Sequence, residues 1–114
     1  MTLAVQHLSP SVAVSAQLSP GAMAEAATDG FRSVINNRPD FEGGPTQPTS
    51  ASIEAAARAA GLEYAYLPVA GNYQSEEEIA RFAELLAVMP APVLAFCRSG
   101  ARSSRLFEAA NAPR

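Results

Sequence analysis

Short apolar runs alternate along the chain with longer stretches in which alanine and polar residues are mixed. Four of these runs, at residues 12–17, 31–36, 62–69 and 93–96, are apolar throughout or alternate with polar positions, and they are predicted as strands. A segment with helix signals follows each of them. Repeated strand–helix alternation predicts an α/β fold with three layers, α/β/α, around a mostly parallel central sheet.

The predicted helices are marked by their start and stop signals. The first begins at Ser19-Pro20, where serine can cap the helix and proline suits its first turn, and it stops at Gly30. A capping box of Ser75 and Glu78 begins the third. The glutamates at 76–78 could instead serve acid–base or metal chemistry, but their place in a first helical turn favours capping. The other two helices are predicted from Thr49 or Ser50 to Ala60, and from Ser103 to Ala110.

Two stretches are not assigned to any element. The first ten residues include His7, the only histidine, which has no second metal-ligating residue near it in sequence. We expect His7 to lie at the surface or to pack, and no metal site is predicted. Segment 37–48 is rich in glycine and proline and is the longest irregular stretch. A loop of this length inside a compact domain is often functional.

Composition argues against several classes of function. All eight basic residues are arginine, and the net charge of −3 disfavours general nucleic-acid binding. No apolar run approaches the length of a membrane span, and residues 1–11 lack the features of a signal peptide. A single cysteine cannot form an internal disulfide, which fits a reducing, cytoplasmic compartment. We expect one domain over residues 1–114 without a cofactor, a membrane partner or a nucleic-acid partner.

The only cysteine, Cys97, directly follows the last predicted strand. A short polar loop with Arg98 and Arg102 then leads into the last predicted helix. A thiol under a helix N-terminus faces unpaired backbone N–H groups and the positive end of the helix dipole. These surroundings favour the thiolate, which is the nucleophilic form of cysteine. Cys97 is therefore predicted to be a nucleophile, the alternative being a small buried cysteine without reactivity.

The same loop is predicted to bind an anion. Arg102 is expected to hold it, or alternatively to pair with a carboxylate such as Glu108, and Arg98 is either a second contact or part of a surface ion pair. Ligands of such sheets bind outside the carboxyl ends of the strands, where segments 37–40 and 70–73 could join Cys97. Gly100 lets the backbone curl, and Ser103 is expected to cap the helix and to hydrogen-bond the sulfur or its leaving group. The candidate anion-binding loop comprises Arg98, Ser99, Gly100, Ala101 and Ser103.

Several segments together resemble a known family. Four segments follow, in order and spacing, the layout of dual-specificity protein phosphatases. They are Val34-Ile35-Asn36, Gly61-Leu62-Glu63-Tyr64, Leu67-Pro68-Val69 and Val93-Leu94-Ala95-Phe96-Cys97 with Gly100. More closely, Gln17, segment 34–40, Gln47-Pro48 and segment 97–104 are similar to the phosphatase-like domain of beta-lactamase hydrolase-like proteins, a family also described as sulfurtransferases. The resemblance covers nearly the whole chain. It implies a cysteine-phosphatase-like fold with Cys97 and Arg102 as catalytic residues.

Three positions depart from the phosphatase pattern that this resemblance implies. Such phosphatases have five residues between the cysteine and the arginine, whereas only four separate Cys97 from Arg102. They place an acidic aspartate two residues after Pro-Val, where this chain has Gly71. Phe96 stands where a histidine usually precedes the cysteine. The shorter loop is similar to that of rhodanese-type sulfurtransferases, in which Cys-Arg-x-Gly-x-Arg is frequent.

These departures lead us to expect sulfane-sulfur transfer as the main activity. Cys97 would take the outer sulfur of a small anionic donor, thiosulfate or a low-molecular-weight persulfide, and its persulfide would pass that sulfur to a thiol or sulfite acceptor. The alternative enzyme is a cysteine-dependent phosphatase in which Asp40 replaces the missing acid. Asp40 in its Pro-Asp turn could equally be structural, and Arg38 beside it is a candidate pocket residue. A third alternative is a non-catalytic anion-binding module.

Overall fold

The computed structural model describes residues 3–112, so the outermost two residues at each end of the expected 1–114 domain lie outside the described residues. One five-stranded sheet has the order β1-β2-β5-β3-β4. β1 pairs antiparallel with β2, and the other neighbouring strands are parallel. The strands are β1 (Gln6–Ser9), β2 (Val12–Ser15), β3 (Ser33–Asn36), β4 (Glu63–Tyr66) and β5 (Val93–Phe96), and the helices are α1 (Ala22–Thr28), α2 (Ser50–Ala59), α3 (Glu76–Val88) and α4 (Ala101–Asn111).

Two hydrophobic cores lie on opposite faces of this sheet. Successive side chains of a strand point to opposite faces, so Leu94 and Phe96 join one core while Val93 and Ala95 join the other. Helices α1 and α2 cover the first core, and α3 and α4 cover the second. β5 is buried on both faces and carries a continuous apolar run, which is why its sequence predicts a strand. The predicted α/β/α architecture with a mostly parallel sheet is confirmed.

The N-terminal ends of α2 and α3 follow the predicted capping chemistry. The Thr49 side chain accepts a hydrogen bond from the N–H of Ser52 at the start of α2. At the start of α3, the Ser75 hydroxyl accepts from the Glu78 N–H at 3.1 Å, and the Glu78 carboxylate accepts from the Ser75 N–H at 2.8 Å. The capping interpretation of Glu78 is therefore confirmed.

The chain begins differently from what the sequence predicts. The unassigned first residues contain β1, a half-exposed edge strand whose polar residues give no apolar signal. His7 lies in this strand, and its ring stacks on Phe31 with centroids 6.2 Å apart, which gives it a packing role. The prediction that α1 begins at Ser19-Pro20 is wrong, because these residues form a turn and the helix starts at Ala22. The Ser19 hydroxyl nevertheless accepts a hydrogen bond from the Ala22 N–H at 3.2 Å.

Helix α4 begins two residues earlier than predicted. Its N-cap is Gly100 in the left-handed conformation, with φ of 95°, and no side chain caps it. The prediction that Ser103 caps this helix is therefore wrong. The chain reverses direction over the few residues after Cys97, which requires a left-handed residue and leaves Arg102 and Ser103 in the first turn of α4. Within residues 3–112, none of the helices has the length and apolar character needed to cross a bilayer.

Candidate active site

The carboxyl ends of β3, β4 and β5 bring the candidate residues together at one edge of the sheet. The Asn37 N–H, after β3, donates to the Phe96 carbonyl at the end of β5 at 2.8 Å. The Val69 N–H, after β4, donates to the Asn37 carbonyl at 3.0 Å. Three chain segments that are distant in sequence thus meet beside Cys97, as the parallel topology requires.

The thiol of Cys97 lies inside the loop that connects β5 to α4. Its side chain is 1 % exposed, and its Sγ accepts a hydrogen bond from the Gly100 N–H at 3.1 Å. Burial opposes ionisation, but hydrogen bonds from the backbone N–H and hydroxyl of Ser103, and from the N–H groups of Ser99 and Gly100, outweigh it. The pKa of Cys97 is therefore lowered below its ordinary value, which favours the nucleophilic thiolate.

The hydroxyl of Ser103 lies between the thiol and a buried amide. Its Oγ is 2.9 Å from the Asn37 Oδ1, and the Asn37 amide nitrogen donates to the Leu67 carbonyl at 3.0 Å. Because this bond fixes the amide orientation, Oδ1 is the atom that faces Ser103. The single hydroxyl proton of Ser103 can go either to Asn37 or to the thiolate. The Ser103 backbone N–H bonds to the sulfur in either case, so Ser103 contacts the thiol from the first turn of α4 and is not the helix cap.

Arg102 is buried in the first turn of α4 and is tied to two other segments of the edge. Its side chain donates from Nη1 to the Glu42 Oε2 at 3.1 Å and from Nη2 to the Glu42 Oε1 at 3.1 Å. Nη1 also donates to the Val69 carbonyl at 3.0 Å. The carboxylate partner is Glu42 and not Glu108, which was the alternative suggested by the sequence.

One edge of the Arg102 guanidinium has no hydrogen-bond partner. Arg102 is only 7 % exposed, and its Nε is buried. This Nε nevertheless has no hydrogen-bond partner among the described residues. A guanidinium is planar with five N–H donors, so the Nε–H and the second N–H of Nη2 point in the same direction. A buried donor without an acceptor is costly, and this edge is therefore the natural contact for an anion.

The carboxylate of Glu42 links two arginines. Besides Arg102, it accepts a hydrogen bond from the Arg38 Nε at 2.9 Å, and Arg38 also donates from Nη1 to the Gln17 side chain at 3.2 Å. Burial raises the pKa of Glu42, but the hydrogen bonds and charges of Arg102 and Arg38 outweigh this and lower it. Sequence reasoning missed Glu42, which lies in a glycine-rich loop between the two family-like segments 34–40 and Gln47-Pro48 and belongs to neither.

A pocket of about 560 Å³ opens at this edge and is lined by Arg38, Glu42, Gly43, Arg98 and Arg102. Arg38 is thus a pocket residue, as the sequence suggested. The Arg98 side chain is exposed, and within residues 3–112 its guanidinium has neither a hydrogen bond nor an ion pair, so the surface ion pair is not formed. Cys97 itself does not line the pocket. Three arginines and one glutamate give the pocket a positive balance.

The remaining loop residues and Asp40 serve mainly structural contacts. The Ala101 N–H faces the Ser99 Oγ at 3.4 Å at the start of α4. The Asp40 Oδ1 accepts a hydrogen bond from the Ser50 N–H at 2.8 Å, and the Asp40 N–H donates to the Tyr66 hydroxyl at 2.8 Å. Asp40 does not line the pocket. Its contacts support the structural alternative over the acid role.

Gly71 occupies the position at which the phosphatase pattern implies an aspartate. A Cβ placed there would lie 3.0 Å from Nη2, 3.6 Å from Cζ and 3.7 Å from Nε of Arg102. Gly71 therefore borders the unpaired edge of the guanidinium. Its carbonyl accepts a hydrogen bond from Arg105 Nη2 at 2.7 Å.

Within the described residues, no group of three His, Cys, Asp or Glu side chains could hold a metal ion.

A cysteine at the end of the central strand, enclosed by the loop that begins the next helix, places this chain among proteins with a cysteine-phosphatase-like fold. Residues 4–113 match the family model described as beta-lactamase hydrolase-like protein, phosphatase-like domain, and the chain belongs to that family. A beta-lactamase hydrolase-like protein of Xylella fastidiosa is 40% identical over 96 residues, which are 84% of this chain and 22% of that protein. The chain thus spans about a fifth of the length of that curated relative.

Solved structures give the same fold. A protein of Neisseria meningitidis named a "putative phosphatase" superposes with a TM-score of 0.85 at 31% identity, covering 93% of this chain and 75% of that one. A similarly named protein of Shewanella putrefaciens gives 0.75 at 23% identity, covering 93% and 66%, which supports the fold alone. The chain is a phosphatase-like domain. These names fit the phosphatase alternative better than sulfane-sulfur transfer, which we expected from the sequence and which they do not support.

Proposed function

We propose that this chain is a cysteine-dependent hydrolase of phosphate monoesters that works through a phosphocysteine on Cys97. The observation that supports this most directly is the thiol held among backbone N–H groups, with Gly100 N at 3.1 Å from Sγ and a lowered pKa. Because Cys97 is 1 % exposed, only a small group that enters the loop, such as a terminal phosphoryl group, can be attacked. Family membership favours this chemistry.

The proposed reaction has two steps. The Cys97 thiolate attacks phosphorus, the sulfur–phosphorus bond forms, and the bond to the leaving oxygen breaks. Water then attacks the phosphocysteine, releasing inorganic phosphate and restoring the thiolate. The loop N–H groups and the unpaired edge of Arg102 would stabilise the charge that develops on the phosphoryl oxygens. Since position 71 is glycine, the leaving oxygen receives no proton from that side, and esters with acidic leaving groups, such as aryl phosphates, should react best.

Sulfane-sulfur transfer is a second candidate because only four residues lie between Cys97 and Arg102. A loop with one fewer N–H group suits a single terminal sulfur. The Cys97 thiolate would attack the outer sulfur of thiosulfate, form a persulfide and release sulfite. A thiol, sulfite or cyanide acceptor would then remove that sulfur and restore the thiolate. Sulfite leaves readily as an anion, so this reaction needs no general acid.

One experiment separates the two candidates. Purified protein is incubated with an aryl phosphate and, separately, with thiosulfate and cyanide, with Cys97→Ser as the matched control. We expect release of phosphate that Cys97→Ser abolishes, and slow or absent formation of thiocyanate. Cysteine-dependent formation of thiocyanate without hydrolysis of the aryl phosphate would overturn the proposal in favour of sulfur transfer. Failure of both reactions together with binding of phosphate would support the non-catalytic anion-binding module.

A further inference from the structure

We infer that Glu42 is a positioning residue that clamps one edge of the Arg102 guanidinium so that the opposite edge faces the substrate anion. Nothing in the sequence pattern singles out Glu42, and its carboxylate contacts Arg102 across 60 residues of sequence. The inference rests on the proposed function in one respect: the anion that reacts at Cys97 is taken to bind Arg102. It is otherwise independent of whether phosphorus or sulfur is transferred.

The hydrogen bonds of Arg102 divide its guanidinium into a used edge and a free edge. Glu42 takes the Nη1–Nη2 edge with both carboxylate oxygens at 3.1 Å, which is the bidentate geometry that fixes the plane of an arginine. The remaining N–H of Nη1 donates to the Val69 carbonyl at 3.0 Å. Only the Nε–Nη2 edge is left, and Nε has no partner within the described residues. Glu42 thus does not occupy the edge that an anion needs.

The position of Glu42 is itself built into the loop. The buried side chain of Gln47 accepts a hydrogen bond from the Gly43 N–H at 2.7 Å and donates to the Pro39 carbonyl at 2.9 Å, which closes the loop on both sides of Glu42. Arg38 holds the Glu42 carboxylate from the other direction at 2.9 Å. A Cβ at position 43 would lie 2.7 Å from the Arg38 Nη2, so a larger residue there would displace the end of the Arg38 side chain. The clamp is therefore held before any anion arrives, as positioning requires.

Charge alone would give Glu42 the opposite effect. A carboxylate beside an anion site repels the anion, so its removal should strengthen binding if electrostatics were its only contribution. If Glu42 positions Arg102, its removal should weaken anion binding, because the plane of the guanidinium is no longer fixed and its Nε–Nη2 edge no longer faces the anion. The sign of the change in anion affinity therefore decides between the two roles.

The test uses the purified full chain and titrates it calorimetrically with inorganic phosphate and, separately, with thiosulfate. The variants are Glu42→Ala and Glu42→Gln, which keeps one acceptor oxygen. The matched control is Glu54→Ala, because Glu54 pairs with Arg58 at 3.1 Å on α2 and its loss changes the net charge equally. Thermal unfolding of each variant checks the fold. Steady-state rates with an aryl phosphate show how much of each variant's effect falls on kcat and how much on KM.

We expect Glu42→Ala to weaken binding of the preferred anion about tenfold or more, Glu42→Gln to weaken it less, and Glu54→Ala to leave it unchanged. Tighter or unchanged binding in Glu42→Ala would overturn the inference, as would wild-type protein that binds neither anion. If thiosulfate binds and phosphate does not, with the same order among the variants, the positioning role stands while the proposed hydrolase fails. For an active hydrolase, Glu42→Ala should lower kcat as well as raise KM, because the Arg102 contact with the transferring group tightens in the transition state.

Discussion

The backbone N–H of Gly100 points at the sulfur of Cys97 across 3.1 Å, from a residue whose φ is 95°. Only two residues separate these two positions, so the chain must reverse within a short span, and the left-handed conformation of Gly100 achieves this. The same residue is the N-cap of α4, and the N–H of Ser103 in the first turn of this helix also bonds to the thiol. The nucleophile and the helix N-terminus that activates it are thus produced by a single turn.

Replacing Gly100 by alanine should therefore destabilise the fold. A Cβ at this position would require an unfavourable left-handed conformation and would lie 3.4 Å from the carbonyl carbon and oxygen of Ser15. We expect Gly100→Ala to lower the free energy of unfolding by about 1–3 kcal/mol in urea denaturation. Gly21→Ala is the control, because Gly21 has an ordinary φ of −62° and its Cβ would meet nothing closer than 3.8 Å. Equal effects of the two substitutions would contradict this account.

The lowered pKa of Cys97 should be visible in two measurements. Titration of the ultraviolet absorbance of the thiolate, with Cys97→Ser as the blank, should give a midpoint below the ordinary cysteine value of about 8.5. The unfolded chain then binds more protons than the folded chain at pH values between the two pKa values. The stability of the wild type relative to Cys97→Ala should therefore rise with pH in that interval, and this gain should be lost as the pH falls through the folded pKa. A midpoint at or above the ordinary value would refute the thiolate.

Ser103 should contribute to that pKa through its hydroxyl. Ser103→Ala removes a hydrogen bond that favours the thiolate, so the Cys97 titration midpoint should rise. If the hydroxyl proton instead points to Asn37, Ser103→Ala leaves the buried Asn37 Oδ1 without its donor, which should cost about 1–3 kcal/mol of stability. The neighbouring Ser104→Ala is the control, since the Ser104 hydroxyl donates to the Gly100 carbonyl at 2.9 Å and contacts neither the thiol nor Asn37 in the described part of the chain. An unchanged midpoint in Ser103→Ala would show that the hydroxyl proton stays with Asn37.

Local patterns predicted the architecture because the interior imposes them directly. Val93–Phe96 is buried on both faces, and such a strand favours apolar residues along its whole length. The start of α4 was misjudged because its N-cap is a glycine that acts through backbone conformation, whereas Ser103 has the side chain that capping statistics favour. Sequence patterns record side-chain chemistry better than they record the path of a tight turn.

The candidate site was predicted where it is local and missed where it is assembled from distant segments. Cys97, Gly100 and Arg102 lie within six residues, and their spacing carries their roles. The Glu42 clamp and the Asn37 contact of Ser103 join residues 60 and 66 positions apart. No periodicity or motif records such pairs, because they depend on which strand ends the topology places side by side.

Asp40 offers a direct test of a structural role against a catalytic one. Its carboxylate accepts the Ser50 N–H at the start of α2, so Asp40→Ala should lower the free energy of unfolding by about 0.5–2 kcal/mol. Asp40→Asn keeps an acceptor oxygen and should retain most of that stability. If the contacts of Asp40 are its whole role, kcat with an aryl phosphate should change less than about twofold in Asp40→Asn. A loss of kcat of about a hundredfold, together with loss of the decline of kcat at high pH, would restore Asp40 as the general acid.

Gly71 should control access to the free edge of Arg102. Its φ lies outside the left-handed region, so the backbone tolerates alanine, and the consequence of Gly71→Ala depends on the guanidinium 3.0 Å away. Three hydrogen bonds to Glu42 and Val69 hold that guanidinium, so it cannot move aside without breaking one of them. We therefore expect Gly71→Ala to weaken phosphate binding about threefold to tenfold in calorimetric titration and to lower thermal stability, because the guanidinium must strain or lose one of these hydrogen bonds. The exposed neighbour Asn72→Ala is the control. Unchanged affinity in Gly71→Ala would mean that the anion approaches Arg102 from another side.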